Sequence, residues 1–213
     1  MTFEFSEDVT GFVVGDIVVG NGSAGSFVAV DGNTYTAQIT PSGAGDITVD
    51  VAGSVATDAA GNNNTAATTA TTVYDTTAPT VDIQGEPVAV NSTTAYTVTL
   101  EFSEDVTGFA LGDIVVGNGS AGSFVAVDGN TYTAQITPSG AGDITVDVAG
   151  SVATDAAGNN NTAATTATTV YDTTAPAASI TGAPSAVNST TPYNVTVDFG
   201  EVVTGFVSGD VTV

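Results

Sequence analysis

Five carboxylates in this chain stand beside tight turns. Glu104 and Asp105 follow one apolar run, Asp128 opens the turn Asp128-Gly129-Asn130, Asp155 opens the loop to Asn159, and Asp75 starts the short segment to Pro79. Carboxylates gathered at one end of a domain are ligands for a hard cation, and calcium takes roughly six to eight oxygens from carboxylates, amides and carbonyls. Little other chemistry is open to the sequence. It has 23 acidic residues, no Lys, Arg, His or Cys, and a formal net charge of -23. Without those side chains there is no catalytic triad, no Schiff-base lysine and no zinc site built on nitrogen and sulfur. A glycosidase with paired carboxylates needs a substrate cleft, and no large insertion is present to build one. The chain is not read as an enzyme. Nucleic acid is excluded as a partner, and an anionic membrane surface is disfavoured, by the lack of any cationic side chain.

The elements that position these residues come in copies. Gly15 to Pro79 recurs without change as Gly112 to Pro176, an offset of 97 residues, and Phe5, Glu7, Gly11, Phe12 and Asp16 return as Phe199, Glu201, Gly205, Phe206 and Asp210. Duplication of this kind adds length or avidity more than turnover, so it points to architecture. The expected division is 1–75, a repeat lacking its first strand and part of its second; 76–172, a complete repeat; and 173–213, the first part of a third. Met1 aligns with Val98 and Val213 with Val116, so the sequence reads as a piece of something longer. It contains no signal peptide and no apolar run long enough to span a membrane.

With 42% hydrophobic and only 11% charged residues, the composition is that of a folded domain. In the complete copy seven strands are predicted: Thr80 to Gln84, Ala95 to Phe102, Asp113 to Val116, Ser123 to Val127, Thr131 to Thr137, Asp143 to Val148 and Ala163 to Tyr171. Tyr96, Val98, Leu100 and Phe102 alternate with Thr97, Thr99 and Glu101, and Tyr132, Ala134 and Ile136 alternate with Thr131, Thr133 and Gln135, placing apolar residues on one face of each strand. No segment reads as helix. The fold class is all-β: tandem seven-stranded immunoglobulin-like sandwiches joined end to end by short linkers. The antibody-type core signature is absent, since there is no Trp and no Cys.

The run Phe102 to Phe109, then Gly112-Asp113-Ile114, Tyr132-Thr133, Ile136-Thr137-Pro138, Ala153 to Asn159 and the linker Asp172 to Pro176 resemble the bacterial Ig-like repeats of giant calcium-dependent surface adhesins. The match covers nearly the whole chain. The resemblance implies extracellular or cell-surface extender domains, stiffened by calcium, that hold a terminal binding module away from the cell.

Ig-like topology makes its own prediction about the carboxylates. The loops after the second, fourth and sixth strands share one end of the sandwich with the incoming linker. Candidate metal ligands are therefore Glu104, Asp105, Asp128 and Asp155 with Asp75, Glu7 and Asp58 in the first copy, and Asp172 with Glu201 at the next junction. Calcium is the expected ion, bridging neighbouring repeats. Each position has a plainer alternative: Asp155 as a turn former bonded to nearby amides, Asp75 as a polar residue ahead of a stiff linker. Asp113 and Asp143 read as strand-start or capping residues, and Asp147 as a solvated strand face.

The sequence thus reads as structural extender repeats of a large bacterial adhesin or surface fibre, with neighbouring repeats of the same or identical chains as partners. Two alternatives stay open. One is a polysaccharide-binding module taking cell-surface glycans, which would need exposed aromatics on one face. The other is a filament subunit joined by strand complementation, the tail of one chain completing the head of the next. Sequons at Asn21, Asn63, Asn91, Asn118, Asn160 and Asn188 read as loop chemistry, with glycosylation open.

Overall fold

The computed structural model describes residues 1–212. The first repeat contributes β1 (Thr2–Glu4), β2 (Ile17–Gly20), β3 (Gly22–Ala29), β4 (Thr34–Pro41), β5 (Gly45–Val51) and β6 (Ala70–Tyr74). The complete repeat contributes β7 (Val81–Gln84), β8 (Ala89–Val90), β9 (Tyr96–Phe102), β10 (Ile114–Gly117), β11 (Gly119–Ala126), β12 (Thr131–Pro138), β13 (Gly142–Val148) and β14 (Ala167–Tyr171). A third, shorter stretch forms the hairpin pair β15 (Ser179–Thr181) and β16 (Thr196–Asp198).

In the complete repeat the sheets run β11-β12-β9-β7 and β10-β13-β14-β8, the two layers of an Ig-like sandwich. All pairings are antiparallel except β8 with β14, which is parallel. This short β8 was not foreseen. It arises because the chain leaves β7 at Gly85, whose φ of +86° suits a residue without Cβ, and crosses to the other sheet through Pro87. The predicted alternation holds: Val98, Leu100, Phe102, Ala134, Ile136, Ile144, Val146 and Val148 face inward and form one core with Val81 and Ile83. At one end of that core Phe102, Phe109, Phe124 and Tyr132 pack with ring centroids 5.0–5.9 Å apart. The Tyr132 hydroxyl donates to the Val106 carbonyl at 3.3 Å, so the buried ring keeps its polar tip satisfied.

Two strands depart from their predicted bounds by more than one residue. β11 starts earlier, at Gly119, because the irregularity between Gly122 and Val125 lets pairing with β12 continue around a bulge. Ser123 sits in that bulge with φ of +46° and donates its hydroxyl to the Gln135 side chain. β14 starts later, at Ala167, since Ala163 to Thr166 belong to the loop end. Single 3-10 turns at Val14–Asp16, Leu111–Asp113 and Ser208–Asp210 precede the strand or segment that follows. In the complete repeat Asp113 accepts from the Ala110 amide at 2.8 Å, which makes it a cap and not the first strand residue.

Candidate metal centre at the repeat junction

Loop architecture brings three of the nine candidate carboxylates together. One oxygen each from Asp75, Glu104 and Asp155 lies within 4.8 Å of the others, and the three come from the incoming segment, the loop after β9 and the loop after β13. The loops are tied to each other by backbone: Thr107 N donates to the Thr154 carbonyl at 2.8 Å and Thr154 N returns the bond at 3.0 Å. Glu104 is fixed from the other side, where Ser103 and Thr80 exchange two bonds, Ser103 N to Thr80 O at 2.9 Å and Thr80 N to Ser103 Oγ at 3.0 Å.

The Asp155 loop is organised by two asparagines, Asn159 and Asn161, to which the sequence pattern alone assigns no partner. Asn161 is buried, and all its hydrogen-bonding capacity is used. Its Oδ1 accepts from the Val152 and Ala153 amides, both at 2.9 Å, while Nδ2 donates to the carbonyls of Ala149 at 3.0 Å and Thr162 at 2.8 Å. Asn159 donates its backbone amide to Asp155 Oδ1 and its Nδ2 to Asp155 Oδ2, both at 2.8 Å. The same Nδ2 donates to the Asp75 carbonyl at 3.1 Å. Gly158, with φ of +91°, makes the positive-φ step in this loop that a residue without Cβ takes freely. The signal for these roles was the run Asn159-Asn160-Asn161, more asparagine than one turn needs.

These surroundings push neighbouring carboxyls in opposite directions. The Asn159 side chain, with backbone amides of the loop, holds the Asp155 carboxyl below the usual aspartate range. Glu104 is pushed up, first by desolvation and then by the charges of Asp155 and Asp75. Asp155 is only 5% exposed, and Glu104 and Asp75 are half-buried, so bulk water does not screen this charge fully. The donor set is all oxygen and multiply anionic, which fits a hard divalent cation such as calcium and does not fit zinc.

The remaining candidates stand elsewhere. The Asp105 carboxylate lies over Gly129, where a Cβ would come within 2.5 Å of it. Asp128 accepts from the Thr131 amide at 2.8 Å and the Asn130 amide at 3.2 Å; the Thr131 side chain first, and then these amides, hold its carboxyl below the usual aspartate range. In the first repeat Glu7 and Asp58 line one cleft of about 420 Å³, and Asn62 bonds Asp58 as Asn159 bonds Asp155. Asp172 accepts from the Thr174 amide at 2.7 Å, the counterpart of Asp75 with Thr77, and Glu201 is exposed.

Among solved structures, invasin, a bacterial integrin-binding protein, is similar at 16% identity over 85% of this chain and 35% of its own, with a TM-score of 0.34. Yersinia pseudotuberculosis InvD is similar at 12% identity over 89% of this chain and 57% of its own, TM-score 0.37. The SGBP-B protein of the Bacteroides ovatus mixed-linkage glucan utilization locus, solved with a mixed-linkage heptasaccharide, is similar at 16% identity over 73% of this chain and 38% of its own, TM-score 0.27. The chain therefore spans between about a third and somewhat over half of these three proteins. No curated protein matches it in sequence. The sequence profile of the bacterial Ig-like domain matches twice, over residues 1–74 and 75–171, in keeping with the two-sheet sandwich above: the chain belongs to the bacterial Ig-like domain family.

Proposed function

We propose that this chain is a stretch of structural extender repeats from a bacterial extracellular or cell-surface adhesin or fibre, and that calcium stiffens its repeat junctions. The supporting observation is the convergence of Asp75, Glu104 and Asp155 in a chain that has no cationic side chain to offset them. Three carboxylates drawn from the incoming segment and two loops repel one another unless a cation is supplied from outside. Asp75, Glu104 and Asp155 would hold the ion, with carbonyls and water completing the shell. The ion would neutralise the charge that gathers where the incoming segment enters the second repeat, and so hold that segment in place. Exact repetition serves the same end, since every further copy adds length with an identical junction.

The test is thermal unfolding together with small-angle X-ray scattering of the 213-residue chain, with calcium and then with excess chelator. Calcium raises Tm with the logarithm of its concentration above Kd and reduces bending, and chelation reverses both. Identical Tm and identical scattering in the two conditions would remove calcium from the junction and leave the carboxylates as turn formers and solubilising charge.

A further inference from the structure

We infer that the Asn159 side chain clasps the incoming segment independently of any ion, and that the hinge between successive repeats is the single peptide link Tyr74–Asp75. Up to Tyr74 the backbone belongs to the first repeat, because β6 pairs with β5 through Gly45 opposite Tyr74. From the next residue it belongs to the second. The Asp75 carbonyl accepts from Asn159 Nδ2 at 3.1 Å, the Pro79 carbonyl accepts from the Thr162 amide at 2.9 Å, and Pro79 is fully buried. Between these anchors the Thr77 amide donates to Asp75 Oδ1 at 2.8 Å. The segment that reads as a linker is therefore a part of the second repeat.

The first repeat shows that the clasp is built in advance. Its identical loop has Asn62 Nδ2 donating to Asp58 Oδ2 at 2.8 Å, the same bond that Asn159 makes to Asp155. An amide nitrogen carries two hydrogens. The first shapes the loop wherever the loop occurs, and in the second repeat the other takes the Asp75 carbonyl. Because the loop is already ordered, capture costs little conformational entropy on the receiving side. The acceptor is a neutral carbonyl, so the bond needs no cation, yet it holds Asp75 beside two other carboxylates whose charge pushes it away. Without the clasp, residues 75–78 would be free up to the Pro79 anchor, a reach of about 13 Å for an extended chain.

Cysteine is absent from the sequence, so Ser23→Cys and Ser120→Cys, both at exposed strand positions, accept spin labels at those two sites alone. Interspin distances are measured by pulsed electron resonance in excess chelator. The labelled chain gives one narrow distribution, and Asn159→Ala and the isosteric Asn159→Asp each widen it at least twofold. Asn62→Ala removes the matching bond within the first repeat and leaves the width unchanged. The inference is overturned if the unsubstituted junction is already as wide as Asn159→Ala, if both Asn159 variants stay narrow, or if Asn62→Ala widens the distribution equally. Adding calcium to the unsubstituted chain separates this inference from the proposed function. A lack of further narrowing counts against the ion and leaves the clasp standing.

Discussion

Ile136 is fully buried, whereas Ile39, the same residue of an identical strand 97 positions earlier, is only partly buried. The difference lies in what covers them. Tyr96 of β9 pairs with Ile136, while the strand that pairs with β4 in the first repeat reaches only from Thr2 to Glu4. Pro41 and Thr72 are exposed where Pro138 and Thr169 are buried, for the same reason. Burial, and with it stability, is set here by neighbours and not by local sequence.

Ile136→Ala should therefore cost about 2–5 kcal/mol, the range for truncation at a close-packed site, and Ile39→Ala less than half as much. The two repeats have separate cores, so denaturant unfolding followed by tyrosine fluorescence should resolve two transitions. Ile39→Ala should move the earlier one and Ile136→Ala the later. Equal shifts from the two substitutions would mean that the first repeat is covered in solution to the same extent as the second.

Asn161 should be the most sensitive polar position in the loop that carries Asp155. Its four backbone bonds are made inside a residue that is 3% exposed, and Asn161→Ala leaves two amides and two carbonyls without that partner. At about 1–3 kcal/mol for each group that water cannot reach, the loss should exceed about 2 kcal/mol. Chemical unfolding measures it. Hydrogen exchange at the Val152 and Ala153 amides should quicken in the same variant, and a loss below that of an ordinary surface substitution would refute the assigned role.

Acid should act on Glu104 and Asp155 with opposite sign. Glu104 has its carboxyl pushed up, so the folded state binds its proton more tightly than the unfolded chain does. Without calcium, the desolvation of its charged form and the repulsion from Asp155 and Asp75 cost stability as pH rises from the ordinary glutamate range through the higher folded value. Asp155 is held low, so its contribution is present above the ordinary aspartate range and is lost as pH falls through the folded value. Glu104→Gln isolates the first effect. In chelator it should raise Tm at neutral pH, and the gain should vanish below the ordinary glutamate range, where both proteins carry a neutral side chain. A gain independent of pH would show that charge is not its cause.

Strand content was legible because alternation is a local pattern. Tyr96 to Phe102 and Thr131 to Ile136 carry it plainly, and each became a strand with the expected face inward. Ala89–Val90 has too few residues to carry a pattern; its pairing with β14 comes from the crossover at Gly85 and Pro87. Repeat spacing and loop topology sufficed to gather Asp75, Glu104 and Asp155. They did not separate these from Asp105 and Asp128, because that depends on side-chain direction: Asp105 lies over Gly129, and Asp128 turns back onto its own hairpin. The partners of Asn159 and Asn161 are not legible in the sequence, because turn composition does not reveal which amide points into a loop and which points at the neighbouring segment.

Asp155 and Asp128 together provide the sharpest test of which carboxylates an ion uses. Both accept backbone amides in tight turns and both have lowered pKa values, so Asp155→Ala and Asp128→Ala each remove local support from a loop and should each lower Tm in chelator. Only Asp155 lies with Glu104 and Asp75. The calcium-dependent rise in Tm should disappear in Asp155→Ala and Glu104→Gln and persist in Asp128→Ala, since linkage adds stability only where the folded state binds the ion. Calorimetric titration with calcium should follow the same division. If Asp128→Ala abolished the rise as well, the ion would have to sit nearer the turn after β11, with Asp105 among its ligands, and not at Asp75, Glu104 and Asp155.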